Sequence, residues 1–178
     1  MQRIPEPWLR GRKIGVDPLI APVLYAFEHA REDLAHHTGE LTTSQLWATP
    51  FGFGSAGFHI RHIGRSTDRL ATYLDRRELS QDQLAALDTE GESGASRQQL
   101  LEELDAIFVR VERMVCSIDP ATLREPRAVG RKQLPTTVIG LLTHIAEHTQ
   151  RHVGQAISAS KLVRQLPPDT KMDTKMRS

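Results

Sequence analysis

Apolar residues recur at three- and four-residue intervals in four stretches of this 178-residue chain. That repeat lines one face of an α-helix. The first stretch runs from Pro18 to His37, with Val23, Phe27, Ala30 and Leu34 on one line. Pro22 suits only a first helical turn, so Asp17-Pro18 opens an irregular turn and Pro22 the helix proper; Thr38-Gly39 ends it. The second runs from Ala56 to Leu74, capped by Ser55, with Ile63, Thr67, Leu70 and Leu74 aligned, His59 extending the line and His62 beside it. The third, Ser96 to Ile118, keeps the spacing through Leu101, Leu104, Phe108, Val111, Val115 and Ile118. The fourth starts near Pro135 and ends near Leu162. Its line is Val138, Leu141, Ile145, His148, His152, Gln155, Ala159 and Leu162, a heptad-like seam.

No stretch shows the strict alternation of a strand. Thr49 to Gly57 is a loop by its Gly and Pro content. Arg77 to Ser96 is a polar, acidic linker with a short helix around Asp82 to Leu87. Pro120, Pro126 and Pro135 bracket the last connection, which holds a basic turn at Gly130-Arg-Lys-Gln133. Four helices with long connections predict an all-α fold, a four-helix bundle.

Composition narrows the class. Hydrophobic residues make up 39% and charged residues 25%, as in ordinary globular proteins, and the length suits one domain. The organisation expected is an N-terminal arm over 1–17, the bundle over 18–162 and a basic, flexible tail over 163–178. A net charge of +1 supplies no field for nucleic acid. No apolar run reaches the ~20 residues of a membrane helix, and the N-terminus has no secretory signal. Cys116 is the one cysteine, so no internal disulfide forms, and a cytoplasmic location is expected.

The chemistry concentrates in His144-Ile-Ala-Glu-His148-Thr-Gln-Arg-His152. Imidazoles four residues apart share a helix face. His148 and His152 stand where Leu would stand in a seam, and each buried unsatisfied imidazole costs about 1–3 kcal/mol. A divalent cation gives both a partner, since neutral imidazole is the commonest metal ligand. A third ligand must come from another helix, and the second offers His59 and His62. Three His would leave a coordination position open, the catalytic rather than the closed structural pattern.

Other patterns fit less well. His144-Ile-Ala-Glu147-His148 matches H-x-x-E-H, an inverted zincin motif, but no Glu follows Glu147 and only Asp169 and Asp173 remain downstream. No Glu-x-x-His tetrad of a ferritin-like di-metal site occurs. His29, Asp33, His36 and His37 read as a solvated face. Arg61, Arg65 and Arg69 would bind an anionic substrate or, more simply, form a salt-bridged face. Trp47, Phe51 and Phe53 would wall a pocket or pack over the bundle end. Cys116 reads as inert.

The segments Ser55-Ala-Gly-Phe-His59-Ile-Arg-His62-Ile-Gly-Arg-Ser66-Thr-Asp-Arg69-Leu and His148-Thr-Gln-Arg-His152-Val-Gly-Gln155 resemble the DinB-like superfamily. The resemblance spans about Pro18 to Leu162. It implies a metal held by His62 on the second helix and by His148 and His152 on the fourth. His59, His144 and Gln155 would then lie around these ligands. It also implies a divalent ion (zinc, nickel or iron), a low-molecular-weight thiol, a small-molecule substrate and a homodimer. The reaction class implied is a thiol-dependent transferase or a hydrolase, with an exogenous thiol or metal-bound water as nucleophile and no catalytic side chain identified. The competing expectation is a metal-stabilised, non-enzymatic binding protein.

Overall fold

The computed structural model describes residues 4–166. Six helices and one short hairpin follow in order: α1 (Ala21–Thr38), α2 (Thr43–Trp47), α3 (Ala56–Leu74), α4 (Gln81–Asp88), α5 (Arg97–Cys116), β1 (Pro126–Val129), β2 (Leu134–Thr137) and α6 (Val138–Gln165). The chain is mostly helical. No helix among the described residues is long and apolar enough to cross a membrane.

Local sequence explains where the helices begin. Thr42-x-x-Gln45, Ser80-x-x-Gln83 and Ser96-x-x-Gln99 form capping boxes ahead of α2, α4 and α5. In each, the hydroxyl accepts from the third helical N–H while the Gln side chain accepts from the cap's own N–H. Ser55 caps α3 and Thr137 caps α6 through single side-chain bonds. Pro22 sits in the first turn of α1, where its missing N–H is harmless.

The four long helices enclose the core. Phe27 of α1 stacks on Phe108 of α5 with ring centroids 4.1 Å apart, and Ile60, Ile63, Leu104, Leu141 and Ile145 fill the space around them. Polar contacts fix the helix directions. Gln150 donates to the Ala26 carbonyl and Arg164 to that of His37, so α1 and α6 run parallel. His59 meets His152 and Ser66 meets His148, so α3 runs antiparallel to α6. Arg65 pairs with Glu103 and Arg110 with Asp68, so α5 runs parallel to α3.

That last relation has a geometric consequence. Two consecutive parallel helices require a connection that travels back along the first. The segment 75–96 does so, retracing most of the ~28 Å of α3. It is a strap laid along one side of α3, and α4 within it buries no residue.

Two features depart from the sequence expectation. The connection before α6 contains an antiparallel pair of strands, Pro126 opposite Thr137 and Val129 opposite Leu134. The buried line of α6 also differs from the heptad-like seam. It runs Val138, Leu141, Ile145, Thr149, Val153, Ala156, Ser160 and Val163, with Leu142 and the expected Ala159 buried beside it. Consecutive steps of four are needed because a straight helix repeats every 3.6 residues, and a 3.5-residue pattern drifts around it. Beyond Ile145 the seam therefore moves one position, leaving His148 and His152 half-buried beside the core.

The arm expected over 1–17 is held where it is described: Arg10 pairs with Glu28 and Glu32 of α1, and Lys13 with Glu28. At the other end, 163–165 continue α6, and the rest of the expected tail lies outside the described residues.

Candidate metal centre

Two antiparallel helices build the site. His59 and His62 lie in the first two turns of α3, and His148 and His152 are one turn apart near the middle of α6. A helical offset of three or four residues brings side chains onto one face, so each helix presents its pair to the other. The donor atoms of His62, His148 and His152 lie within 4.8 Å of one another. Their ring centroids are 4.4 Å apart for His62 and His152, 4.6 Å for His148 and His152, and 5.1 Å for His62 and His148. Among the described residues this is the grouping of His, Cys, Asp or Glu donors able to hold one ion.

Each of the three rings has its Nδ1 turned to a partner. His62 Nδ1 is 2.6 Å from Glu90 Oε2, and since a carboxylate only accepts, His62 donates. His148 Nδ1 lies 3.4 Å from Ser66 Oγ. His152 Nδ1 lies 3.0 Å from His59 Nδ1, a contact in which one ring donates and the other accepts. Nε2 is thus the nitrogen left over on each ring. Orientation of a ligating His through its second nitrogen is the usual arrangement around protein-bound metals.

Burial and neighbouring imidazoles keep His148, His152 and His59 neutral. His148 is pushed down to about 4 by burial first, then by His152 and His62. His152 is likewise held at about 4, by burial and then by His62 and Arg151. His59, only 7% exposed, is lowered to about 4 by burial and then by His152 and His62. Neutral imidazole is the form that binds a cation.

Glu90 escaped the sequence reading. It belongs to the strap, which looked like a polar, acidic linker, yet its side chain is buried. Burial opposes its charge, but hydrogen bonds from His62 and Arg69 leave its carboxyl below the ordinary value. Arg69 Nη1 reaches Glu90 Oε1 at 2.6 Å, so the two oxygens are divided between the arginine and the histidine.

The three arginines of α3 face the strap rather than an open pocket. Arg61 Nη1 donates to the carbonyls of Thr89, Glu90 and Glu92, and its guanidinium lies 4.5 Å from the Trp47 ring. Arg65 donates to the Ala86 carbonyl and to Thr89 Oγ1 and pairs with Glu103. A spacing of four residues places all three guanidinia along one side of α3. Arg65 and Arg69 are salt-bridged, to Glu103 and Glu90, whereas Arg61 is buried against carbonyls.

The remaining predicted neighbours are placed differently. His144 is exposed and its Nδ1 lies 2.6 Å from Glu147 Oε1, while Glu147 also takes Arg151. Two residues of the H-x-x-E-H pattern, His144 and Glu147, thus pair with each other along α6, while the third, His148, joins the cluster. Gln155 is exposed, and no hydrogen bond joins it to the histidines among the described residues. Trp47 is buried, donating to the Ala95 carbonyl at 2.7 Å, whereas Phe51 and Phe53 are 77% and 64% exposed. Phe58 stacks on His62 with centroids 5.4 Å apart and meets His59 edge-on. Cys116 is exposed. A cavity of about 690 Å³ lies at the far end of α3, against the hairpin, and contains none of the histidines.

Comparison with known proteins agrees with this arrangement. The family model described as the DinB superfamily matches residues 26–156, which include every histidine of the site. No curated protein matches the chain.

Proposed function

The chain belongs to the DinB superfamily, and from that premise we propose that it is a divalent-metal-dependent enzyme acting on a small molecule, as a thiol-dependent transferase or a hydrolase. The observation that carries this reading is the convergence of His62, His148 and His152 from two helices, each with its Nδ1 already engaged. The donor set fits the ion: three imidazoles suit zinc, nickel or iron(II). Bound there, such an ion would supply the positive charge that holds a low-molecular-weight thiol or water in its deprotonated form near neutral pH.

The chain's own part is to bind and orient. His62 is set by Glu90, His148 by Ser66, and His152 by His59. With its Nε2 engaged by the ion, His152 would carry its proton on Nδ1 and donate it to His59 Nδ1. Phe58 covers the His62 ring and limits water on that side. The half-burial of all three imidazoles leaves the approach to the site open on one side. His144 and Glu147 close no coordination position, because they pair with each other. That favours a site with exchangeable positions over a closed structural one. The same reading takes the long helices as a family-type four-helix bundle over 18–162 and the active species as a homodimer.

The test is elemental analysis of protein purified without an affinity tag, followed by thiol-transfer and hydrolase assays on metal-reconstituted protein and on His148→Ala. About one equivalent of metal, and turnover lost in His148→Ala, are expected. Absence of stoichiometric metal even after reconstitution would overturn the reading. Stoichiometric metal without turnover would favour a metal-stabilised binding protein instead.

A further inference from the structure

The strap places one buried carboxylate against one ligand of the candidate centre, and almost nothing apolar holds the strap in place. Within α4 no residue is buried. Its attachment to α3 is polar: Arg61 to three carbonyls, Arg65 to Ala86 and Thr89, Gln83 to Asp68 and Thr72, and Arg69 to Glu90. Elements with little apolar burial open locally at low free-energy cost. Glu90 is therefore both the contact between strap and site and a group whose position depends on the strap being docked.

We propose that Glu90 is the positioning residue of His62, and that docking of the strap over residues 81–92 is thermodynamically linked to metal binding. A cation on His62 Nε2 polarises the ring and strengthens the hydrogen bond from its Nδ1–H to the Glu90 carboxylate. The stronger bond holds the strap closed. By reciprocity, a docked strap raises metal affinity by the same factor with which metal favours docking. Arg69 holds the second oxygen of Glu90 at 2.6 Å, which fixes the carboxylate for this contact and balances its charge. The topology explains why the strap is the source: the connection from α3 to the parallel α5 must pass the first turns of α3, where His62 lies.

This inference rests on the metal-site reading, and the experiment separates the two. Zinc is titrated into tag-free protein against a chromophoric chelator, using wild type, Glu90→Ala, Glu90→Gln and, as a surface control, Glu147→Gln. Glu90→Ala is expected to weaken zinc binding by about 10–100-fold. Glu90→Gln, which can still accept a neutral hydrogen bond, should fall between Glu90→Ala and wild type, and Glu147→Gln should match wild type. On wild type alone, zinc should slow hydrogen exchange of the 81–92 amides by about tenfold, the factor expected if coupling is of ordinary size. In zinc-loaded wild type a slowly exchanging, downfield His62 Nδ1–H proton should be visible by NMR, and it should be lost in Glu90→Ala. Wild type that binds zinc tightly while Glu90→Ala binds within about twofold of it would overturn the role of Glu90 and leave the metal site standing. Unchanged strap exchange on zinc addition would overturn the linkage, including where the variants fail to fold. Wild type that binds no zinc would overturn the metal reading and this proposal with it.

Discussion

Replacing Arg61 tests whether the arginine row holds the strap or serves a ligand. Arg61 is only 9% exposed, one nitrogen of its guanidinium serves three strap carbonyls, and the group lies over Trp47. Hydrogen bonds to a charged donor contribute about 1.5–3 kcal/mol each when removed singly. Three at full strength would exceed the effect expected, because a single Nη1 is shared among them. Burial also acts against the charge: it lowers the Arg61 pKa, with Arg65 adding to the effect, and Nε has no partner among the described residues. The cation–π contact adds about 1 kcal/mol. The freed carbonyls can meet water once the strap lifts. Together these give a loss of about 2–4 kcal/mol for Arg61→Ala, or about 5–15 °C in Tm for a chain of this size. Arg61→Lys keeps the charge but not the planar fork, and should recover less than half. Scanning calorimetry on metal-free protein reads the loss, and hydrogen exchange locates it in 81–92. A Tm within about 2 °C of wild type, with normal strap exchange, would show that the clamp is not structural and return Arg61 to the role of a ligand-binding group.

Three further outcomes follow from the same geometry. Metal-free protein should lose stability as pH falls from about 6.5 toward 4: the unfolded chain takes up protons on His59, His148 and His152 in that window, while the folded rings stay neutral down to about 4. Urea unfolding at several pH values checks this, and the slope should flatten in a His148→Gln/His152→Gln double variant; equal slopes would contradict the assignment. Glu147→Gln should leave zinc affinity within about twofold of wild type, since Glu147 pairs with His144 and Arg151 and not with the cluster; a tenfold loss would reinstate the H-x-x-E-H motif. Gly57→Ala would place a Cβ 2.8–3.0 Å from three Trp47 ring atoms. The resulting overpacking of about 1–3 kcal/mol should outweigh the ~1 kcal/mol gained in helix propensity, so Tm should drop, and a rise would refute the packing argument.

The helices were legible because their signals are local. The starts of α3, α5 and the short α4 follow from Ser caps and three-and-four spacing within a few turns. Two of the three converging imidazoles were legible for the same reason, being one turn apart on α6. His62 was separable from His59 only through family resemblance, since both stand on α3 one turn apart and both face α6. Glu90 was illegible: its burial comes from α3 arginines more than twenty positions earlier, and no local pattern marks it. The hairpin was hidden because each strand is four residues long and contains a proline. The phase of α6 was lost because a 3.5-residue pattern drifts around a straight helix, and the shift already shows at Thr149.

The lone exposed thiol of Cys116 has a practical consequence. It is the last residue of α5, whose closing turn, through Met114, lies near Leu74 at the far end of α3, about 18 Å along the helix axis from His62. A fluorophore or nitroxide attached there would label the molecule at one address without touching the imidazoles. The same thiol can join two chains through a single intermolecular bridge on air oxidation. Sizing experiments on this protein therefore need a reductant or a Cys116→Ser background, so that covalent pairs are not counted as a native dimer.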